Sequence, residues 1–132
     1  MDALTIWSDA GDHLTSALFE DDGRVAYCYV IEDDNIVSDV WVYNRTKTPT
    51  TKPWKEGEEP PYLNPEEYAL EMSELPGSMS DVHIEWENQD GAKPIALVHV
   101  SGTLFARVSA AEKPGHARLA RKEGPLAKPL LP

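Results

Sequence analysis

Alternation of apolar and polar residues predicts β-strands along most of this chain. Residues 25–31 and 36–43 are rich in β-branched and aromatic side chains, and residues 81–87 alternate without a break. Such patterns are typical of strands rather than helices. A further apolar run over residues 94–109 is interrupted at Gly102, which indicates a tight turn or a bulge between two more strands.

Two acidic turns separate the strands of the N-terminal half. The triplets Glu20-Asp21-Asp22 and Glu32-Asp33-Asp34 are each followed by a residue that tolerates a positive φ, Gly23 or Asn35. Turns of this kind connect successive strands of a β-meander. Residues 4–7 fit an edge strand. Residues 14–19 fit a strand or a short helix, and we favour the strand because a hairpin turn follows it directly.

The clearest helix signal lies at residues 65–75. Asn64 offers an N-cap, Pro65 suits the first helical position, and acidic and apolar residues follow at helical spacing. The predicted fold is therefore α+β or mainly β, an antiparallel meander of about seven strands with this helix packed on it. Its apolar face is expected to include Val82, Ile84, Trp86, Leu97 and Leu104.

Prolines mark two irregular segments. We predict one domain over residues 1–112, containing a Pro-rich loop at 46–64, and a basic, Pro-rich C-terminal arm at 113–132. A short helix is expected at 117–122 within this irregular arm. The arm either lies on the domain or projects from it.

Charge is distributed unevenly along the chain. The net charge is −11, with 6 Lys and Arg against 21 Asp and Glu in residues 1–100, and 6 against 2 in residues 101–132. An acidic body repels nucleic acid and anionic lipid at long range, so neither is expected as a partner. A basic protein partner is expected instead.

Several sequence features favour the cytoplasm. The N-terminus lacks the basic and apolar regions of a secretory signal, and no apolar run is long enough to span a membrane. The single Cys28 cannot form an internal disulfide and is expected to be a buried, inert thiol.

Signatures of known catalytic sites are missing from the sequence. It contains no P-loop, G-x-G-x-x-G, G-x-S-x-G, H-E-x-x-H or C-x-x-C motif. We therefore assign no catalytic residue, metal ligand or cofactor, and we favour a non-enzymatic function.

The leading hypothesis is a small binding protein, of the inhibitor or immunity type, that engages a basic protein. Its candidate binding residues are the two acidic triplets and the aromatic residues of the Pro-rich loop, namely Glu20, Asp21, Asp22, Glu32, Asp33, Asp34, Trp54 and Tyr62.

Two alternatives come from other functional classes. One is a ligand-binding domain or enzyme with a pocket between the sheet and the 46–64 loop, where His83, Glu85 and His99 supply the polar groups. The other is a subunit that forms homo-oligomers through residues 113–132.

Overall fold

The computed structural model describes residues 4–46, 48–50, 60–71, 76, 79–88 and 91–130. Within these ranges nine strands form two sheets. The strands are β1 (Leu4–Asp9), β2 (Thr15–Asp21), β3 (Val25–Glu32), β4 (Asn35–Asn44), β5 (Val82–Glu87), β6 (Ile95–Val100), β7 (Thr103–Ser109), β8 (Glu112–Ala117) and β9 (Lys128–Pro129). A short 3₁₀ helix at Met79–Asp81 precedes β5.

The first sheet is an antiparallel meander in the order β1-β2-β3-β4. The predicted strands of the N-terminal half are confirmed, including the strand preferred over a helix at 14–19. The hairpin between β3 and β4 turns at Asp33 and Asp34, whose φ angles are 51° and 65°. Asp and Asn adopt this left-handed region more readily than other non-glycine residues, which explains the turn.

The second sheet has the order β5-β6-β7-β8-β9, in which β9 is parallel to β8 and the other neighbours are antiparallel. Ser101 and Gly102 have φ angles of 50° and 83° between β6 and β7. The interruption at Gly102 is therefore a tight turn, because a two-residue hairpin turn needs positive φ at its central residues.

Both sheets contribute to one hydrophobic core, and β4 packs against β7 and β8. The sheets also meet at their first strands, where the indole Nε1 of Trp86 in β5 donates a hydrogen bond to Ser8 Oγ in β1 at 2.9 Å. The fully buried side chains include Phe19, Val40, Trp41, Tyr43 and Val98. In the part of the chain that the structure describes, no helix is long and apolar enough to cross a bilayer.

The predicted single sheet of about seven strands with one helix is wrong, since the strands divide into two sheets and the described residues contain no α-helix. At the predicted helix, Tyr68 N bonds to Pro65 O and closes one turn. Ala69 then pairs with Ala120 in an isolated bridge. Backbone pairing with a distant segment overrides the local helix signal. Residues 72–75 of that prediction lie outside the described residues.

The expected irregular C-terminal arm is also wrong, because β8 and β9 belong to the second sheet. Residues 113–115 form an irregularity opposite Val108, between the pairs Arg107–His116 and Ser109–Glu112. A Cβ on Gly115 would lie 2.4 Å from Arg107 O, so only glycine fits there without a shift. The Pro-Gly sequence that suggested a break therefore sits in a bulge. The helix expected at 117–122 is replaced by the end of β8, a turn and the bridge at Ala120.

The predicted apolar face of the second sheet is partly wrong. Val82 and Ile84 are buried as expected, opposite Val100 and Val98. Leu97 lies opposite Glu85, and Leu104 opposite His99, so both leucines belong to the other face. Ala96, Val98 and Val100 take the inner positions of β6. The apolar run over residues 94–109 lacks regular alternation of apolar and polar residues. The sequence therefore does not show which of its side chains face the core.

Candidate functional site

The two acidic triplets lie at opposite ends of the first sheet. Asp21 pairs with Ala26 beside the β2–β3 turn, whereas Glu32 pairs with Asn35 beside the β3–β4 turn. They therefore do not form one acidic patch. Glu32 forms an ion pair with Lys93, whose Nζ lies 2.9 Å from Glu32 Oε2.

Asp21 points into the core and is fully buried. Its Oδ2 accepts hydrogen bonds from Tyr43 Oη at 2.6 Å and from Arg45 Nε at 2.7 Å, and its Oδ1 accepts one from Gly23 N at 2.9 Å. Arg45 also donates from Nη2 to Pro76 O at 2.6 Å. This carboxylate holds the end of β2, the end of β4 and residue 76 together, which is a structural role.

Acidic conditions are expected to destabilise the fold through Asp21. Burial alone would raise the pKa of Asp21, but hydrogen bonds from Arg45, Tyr43 and Gly23 and the charge of Arg45 hold it below its usual value. A carboxyl whose pKa is lowered in the folded state stabilises the fold above its unfolded pKa, and this stability is lost as pH falls through the folded pKa.

Thermal unfolding followed by circular dichroism should therefore give a melting temperature that falls once the pH drops below about 4. In the Asp21→Asn variant, which has no titrating group at this position, that fall should be smaller. An equal fall in the variant would show that Asp21 does not cause the acid sensitivity.

Of the two aromatic residues predicted as binding anchors, the structure describes only Tyr62. Trp54 lies outside the described residues. Tyr62 is half-buried, and its carbonyl accepts a hydrogen bond from Tyr27 Oη at 2.6 Å, while the neighbouring Pro61 O accepts one from Arg24 Nη2. This part of the loop is thus attached to the beginning of β3 and to the turn that precedes it. A role of either aromatic in binding stays a prediction.

The structure brings His83, Glu85 and His99 together on the outer face of the second sheet. His83 and His99 are directly opposite each other in β5 and β6, with ring centroids 6.5 Å apart. Each Nε2 lies 3.6 Å from an oxygen of Glu85. Hydrogen bonds of Pro61 O and Tyr62 O attach the described part of the Pro-rich loop to Arg24 and Tyr27 beside the first sheet. Among the described residues no group of His, Cys, Asp or Glu is arranged to hold a metal ion.

Cations of the C-terminal segment already have partners within the chain. Lys122 Nζ lies 2.6 Å from Glu67 Oε2, and Lys128 Nζ lies 3.7 Å from Glu112 Oε2. Arg121 donates to Ala69 O at 3.1 Å. Lys122 and Lys128 therefore pair with carboxylates of the same chain, and Arg121 bonds to a backbone carbonyl.

A surface that sequence reasoning missed lies on the outer face of the first sheet. Strand register places Trp7, Leu18, Tyr29 and Asp39 directly opposite one another across all four strands. Residues directly opposite in neighbouring strands share a face. We call this line of side chains the Trp7 row. Trp7 is 56% exposed, and Leu18, Tyr29 and Asp39 are half-buried.

Neighbouring rows add further apolar and acidic groups. Asp9, Ser16, Ile31 and Ile36 are aligned on one side of the Trp7 row, and Glu20 lies on the other. Ile36 is 62% exposed. We define the acidic-apolar face as the residues Trp7, Asp9, Leu18, Glu20, Tyr29, Ile31, Ile36 and Asp39.

The pKa values of two groups on this face, Tyr29 and Asp39, are shifted by their surroundings. Burial raises the pKa of Tyr29 to about 12, and the charges of Glu20, Asp39 and Asp22 contribute to the rise. Burial also raises the pKa of Asp39, against the opposing charge of Lys113. The carboxylates are thus close enough to the aromatic ring to act on it, and Asp39 is incompletely solvated.

The strands of this sheet contain no Lys or Arg, whereas they contain Asp9, Glu20, Asp21, Glu32 and Asp39. With Asp21 and Glu32 already engaged, the other three carboxylates belong to the acidic-apolar face. The nearby cation Lys113, which acts on Asp39, comes from β8. Exposed apolar area bordered by polar and charged side chains is typical of a surface that binds a partner.

Searches of family models, curated proteins and solved structures give no match to this chain. The acidic-apolar face offers an indole for hydrophobic and cation–π contact, and carboxylates within reach of a bound cation. The chemistry of these groups is complementary to a cationic, partly apolar ligand.

The signal for this face was present in β1, where Thr5, Trp7 and Asp9 alternate with the inward Leu4, Ile6 and Ser8. Finding the rest required the cross-strand register, which sets Leu18 and Tyr29 beside Trp7.

Proposed function

We propose that this chain is a binding protein, of the inhibitor or immunity type, whose acidic-apolar face engages a basic segment of another protein. The observation that carries the proposal is the Trp7 row, in which an exposed indole and half-buried apolar side chains end at a half-buried carboxylate. Exposed tryptophans are enriched among the residues that dominate binding energy at protein interfaces.

The sign of the charge favours a basic partner. A cationic side chain placed on this face approaches Asp9, Glu20 or Asp39 and meets no Lys or Arg from the four strands. The overall charge of −11 acts in the same direction at longer range. Complementary charge of this kind speeds association and makes it sensitive to salt. A cytoplasmic setting for this complex stays a prediction.

A selection with two displayed peptide libraries tests the proposal. Both libraries contain peptides of about nine residues, enough to span a strand of ordinary length, with the same apolar residues at alternate positions. One library carries Lys or Arg between them and the other carries Asp or Glu. We expect enrichment from the cationic library alone. Absence of any cationic binder, or equal enrichment from both libraries, would refute the proposal.

Charge variants then test whether the carboxylates of this face, rather than the net charge of the protein, speed association of the peptide. Removing two of the three carboxylates of this face with Glu20→Gln and Asp39→Asn should slow association of a selected peptide by about tenfold at low salt. The difference should shrink as salt screens the charges. Glu66→Gln with Glu123→Gln makes the same change in net charge at exposed positions elsewhere. Equal slowing in this control would assign the effect to net charge rather than to the face.

A further inference from the structure

Strand β1 is an edge strand with few of the features that usually protect such edges. Asp9 is its one charged residue, and the 3₁₀ helix at Met79–Asp81 lies near it. Strand β1 pairs with β2 along its whole length without a register shift, and in the part of the chain that the structure describes no strand pairs with its other side. Its sequence contains no Lys and no Pro. Lysine, proline and bulges are the common means by which proteins block pairing at an edge.

The other edges are occupied, short or charged. At the edge of β4, Trp41 N donates to Leu126 O at 3.0 Å, so a segment of the same chain already lies there. Strand β9 has two residues. Strand β5 presents His83, Glu85 and Glu87 at its exposed positions, so it offers carboxylates but no exposed large apolar side chain such as Trp7. Strand β1 is therefore the edge better suited to an added strand that is both cationic and partly apolar.

Contacts on the inner side hold β1 in place. Leu4 is buried, Ile6 packs against the core, and Ser8 accepts the hydrogen bond from Trp86 of the second sheet. The outward positions Thr5, Trp7 and Asp9 remain exposed. A preformed edge of this kind can bind an extended segment without first being ordered, which lowers the entropic cost of binding.

A strand added to β1 would lie about 4.8 Å away and would continue the rows of the acidic-apolar face. One outward side chain would come beside Trp7, and the next outward side chain along would come beside Asp9. An apolar residue or the aliphatic part of a Lys or Arg suits the first position, and a cationic group suits the second. A second copy of this chain is disfavoured, because each copy carries a charge of −11.

We propose that β1 receives an extended cationic segment of the partner protein as a fifth strand of the first sheet. This inference rests on the proposed function and adds to it the mode of binding. Main-chain hydrogen bonds to β1 supply affinity, and the side chains beside Trp7 and Asp9 supply selectivity, as in other complexes formed by strand addition.

Backbone methylation of a selected cationic peptide tests this mode on the unaltered protein. In an added strand, alternate peptide N–H groups point toward β1 and the others point to solvent. Two peptides are made, one N-methylated at the odd positions and one at the even positions. We expect one of them to lose affinity by about 30-fold, since several hydrogen bonds are lost together, and the other to bind nearly as well as the unmethylated peptide.

Three other results would contradict strand addition, and they can be told apart. If both methylated peptides bind as tightly as the parent, strand addition is wrong and the proposed function stands on side-chain contacts. If no cationic peptide is selected at all, both proposals fail. If sedimentation shows that the free protein is a dimer that dissociates when the peptide binds, the edge belongs to a second copy of this chain.

Discussion

Replacing Asp21 with alanine is expected to lower the free energy of unfolding by about 3–5 kcal/mol, the range found when one partner of a buried ion pair is removed. The variant leaves the Arg45 guanidinium, whose side chain is 14% exposed, without its carboxylate. It also removes the acceptor of the Tyr43 hydroxyl. Urea denaturation followed by tryptophan fluorescence measures the change.

Glu20→Ala provides the matched control on the same strand, because it removes the same charge from an outward position. Its stability should stay within about 0.5 kcal/mol of the wild type, as is usual for surface substitutions. If Asp21→Ala is too unstable to purify, Asp21→Asn keeps the size of the side chain and should show a smaller loss. A stable Asp21→Ala variant, matching the control, would show that this ion pair does not anchor the fold.

Replacing Trp7 with alanine is expected to weaken binding of a selected cationic peptide by about 30-fold, which corresponds to roughly 2 kcal/mol at an interface hot spot. Because Trp7 is 56% exposed, its removal leaves no large cavity, and the stability of the free protein should change by less than about 1 kcal/mol. Isothermal titration calorimetry and urea denaturation measure the two quantities separately.

Leu70→Ala is the control for loss of exposed apolar area. Leu70 is 40% exposed and lies beside Leu119, away from the first sheet. Its replacement should leave peptide affinity unchanged. Equal loss in both variants, or no loss in Trp7→Ala, would contradict the placement of the binding surface around Trp7.

The sequence allowed the strands from β1 to β7 to be predicted, since their signals are local. Alternation identifies a half-buried strand such as β5. Turn residues such as Gly23 and Gly102 separate other neighbouring strands. Division into two sheets depends on which strands meet after the long segment between β4 and β5. Pairing across such a distance leaves no local pattern.

Strand β8 and the predicted helix were misjudged for the same reason. Proline and glycine at 114–115 indicate a break when read locally, but the partner strand accommodates them in a bulge. Likewise, the N-cap signal at Asn64 and Pro65 does produce a turn, after which Ala69 pairs with Ala120. In both places tertiary pairing decided the structure.

The candidate site was predictable only in its chemistry. The excess of acidic residues predicts a basic partner, and the triplets look alike in sequence. In the structure, Asp21 is the last residue of β2 and points inward to Tyr43 and Arg45. The Trp7 row was missed because it is assembled from single residues of four strands. Sequence alone does not set their register.

Amide chemical-shift mapping with a selected cationic peptide tests the location of the binding surface most directly. Binding to the acidic-apolar face should shift the amide signals of β1 and of the facing residues of β2 and β3 most strongly, together with the Trp7 indole signal. Signals of the second sheet, including His83 and His99, should change little. Shifts confined to the second sheet, or to the segment at residues 60–71, would contradict the account.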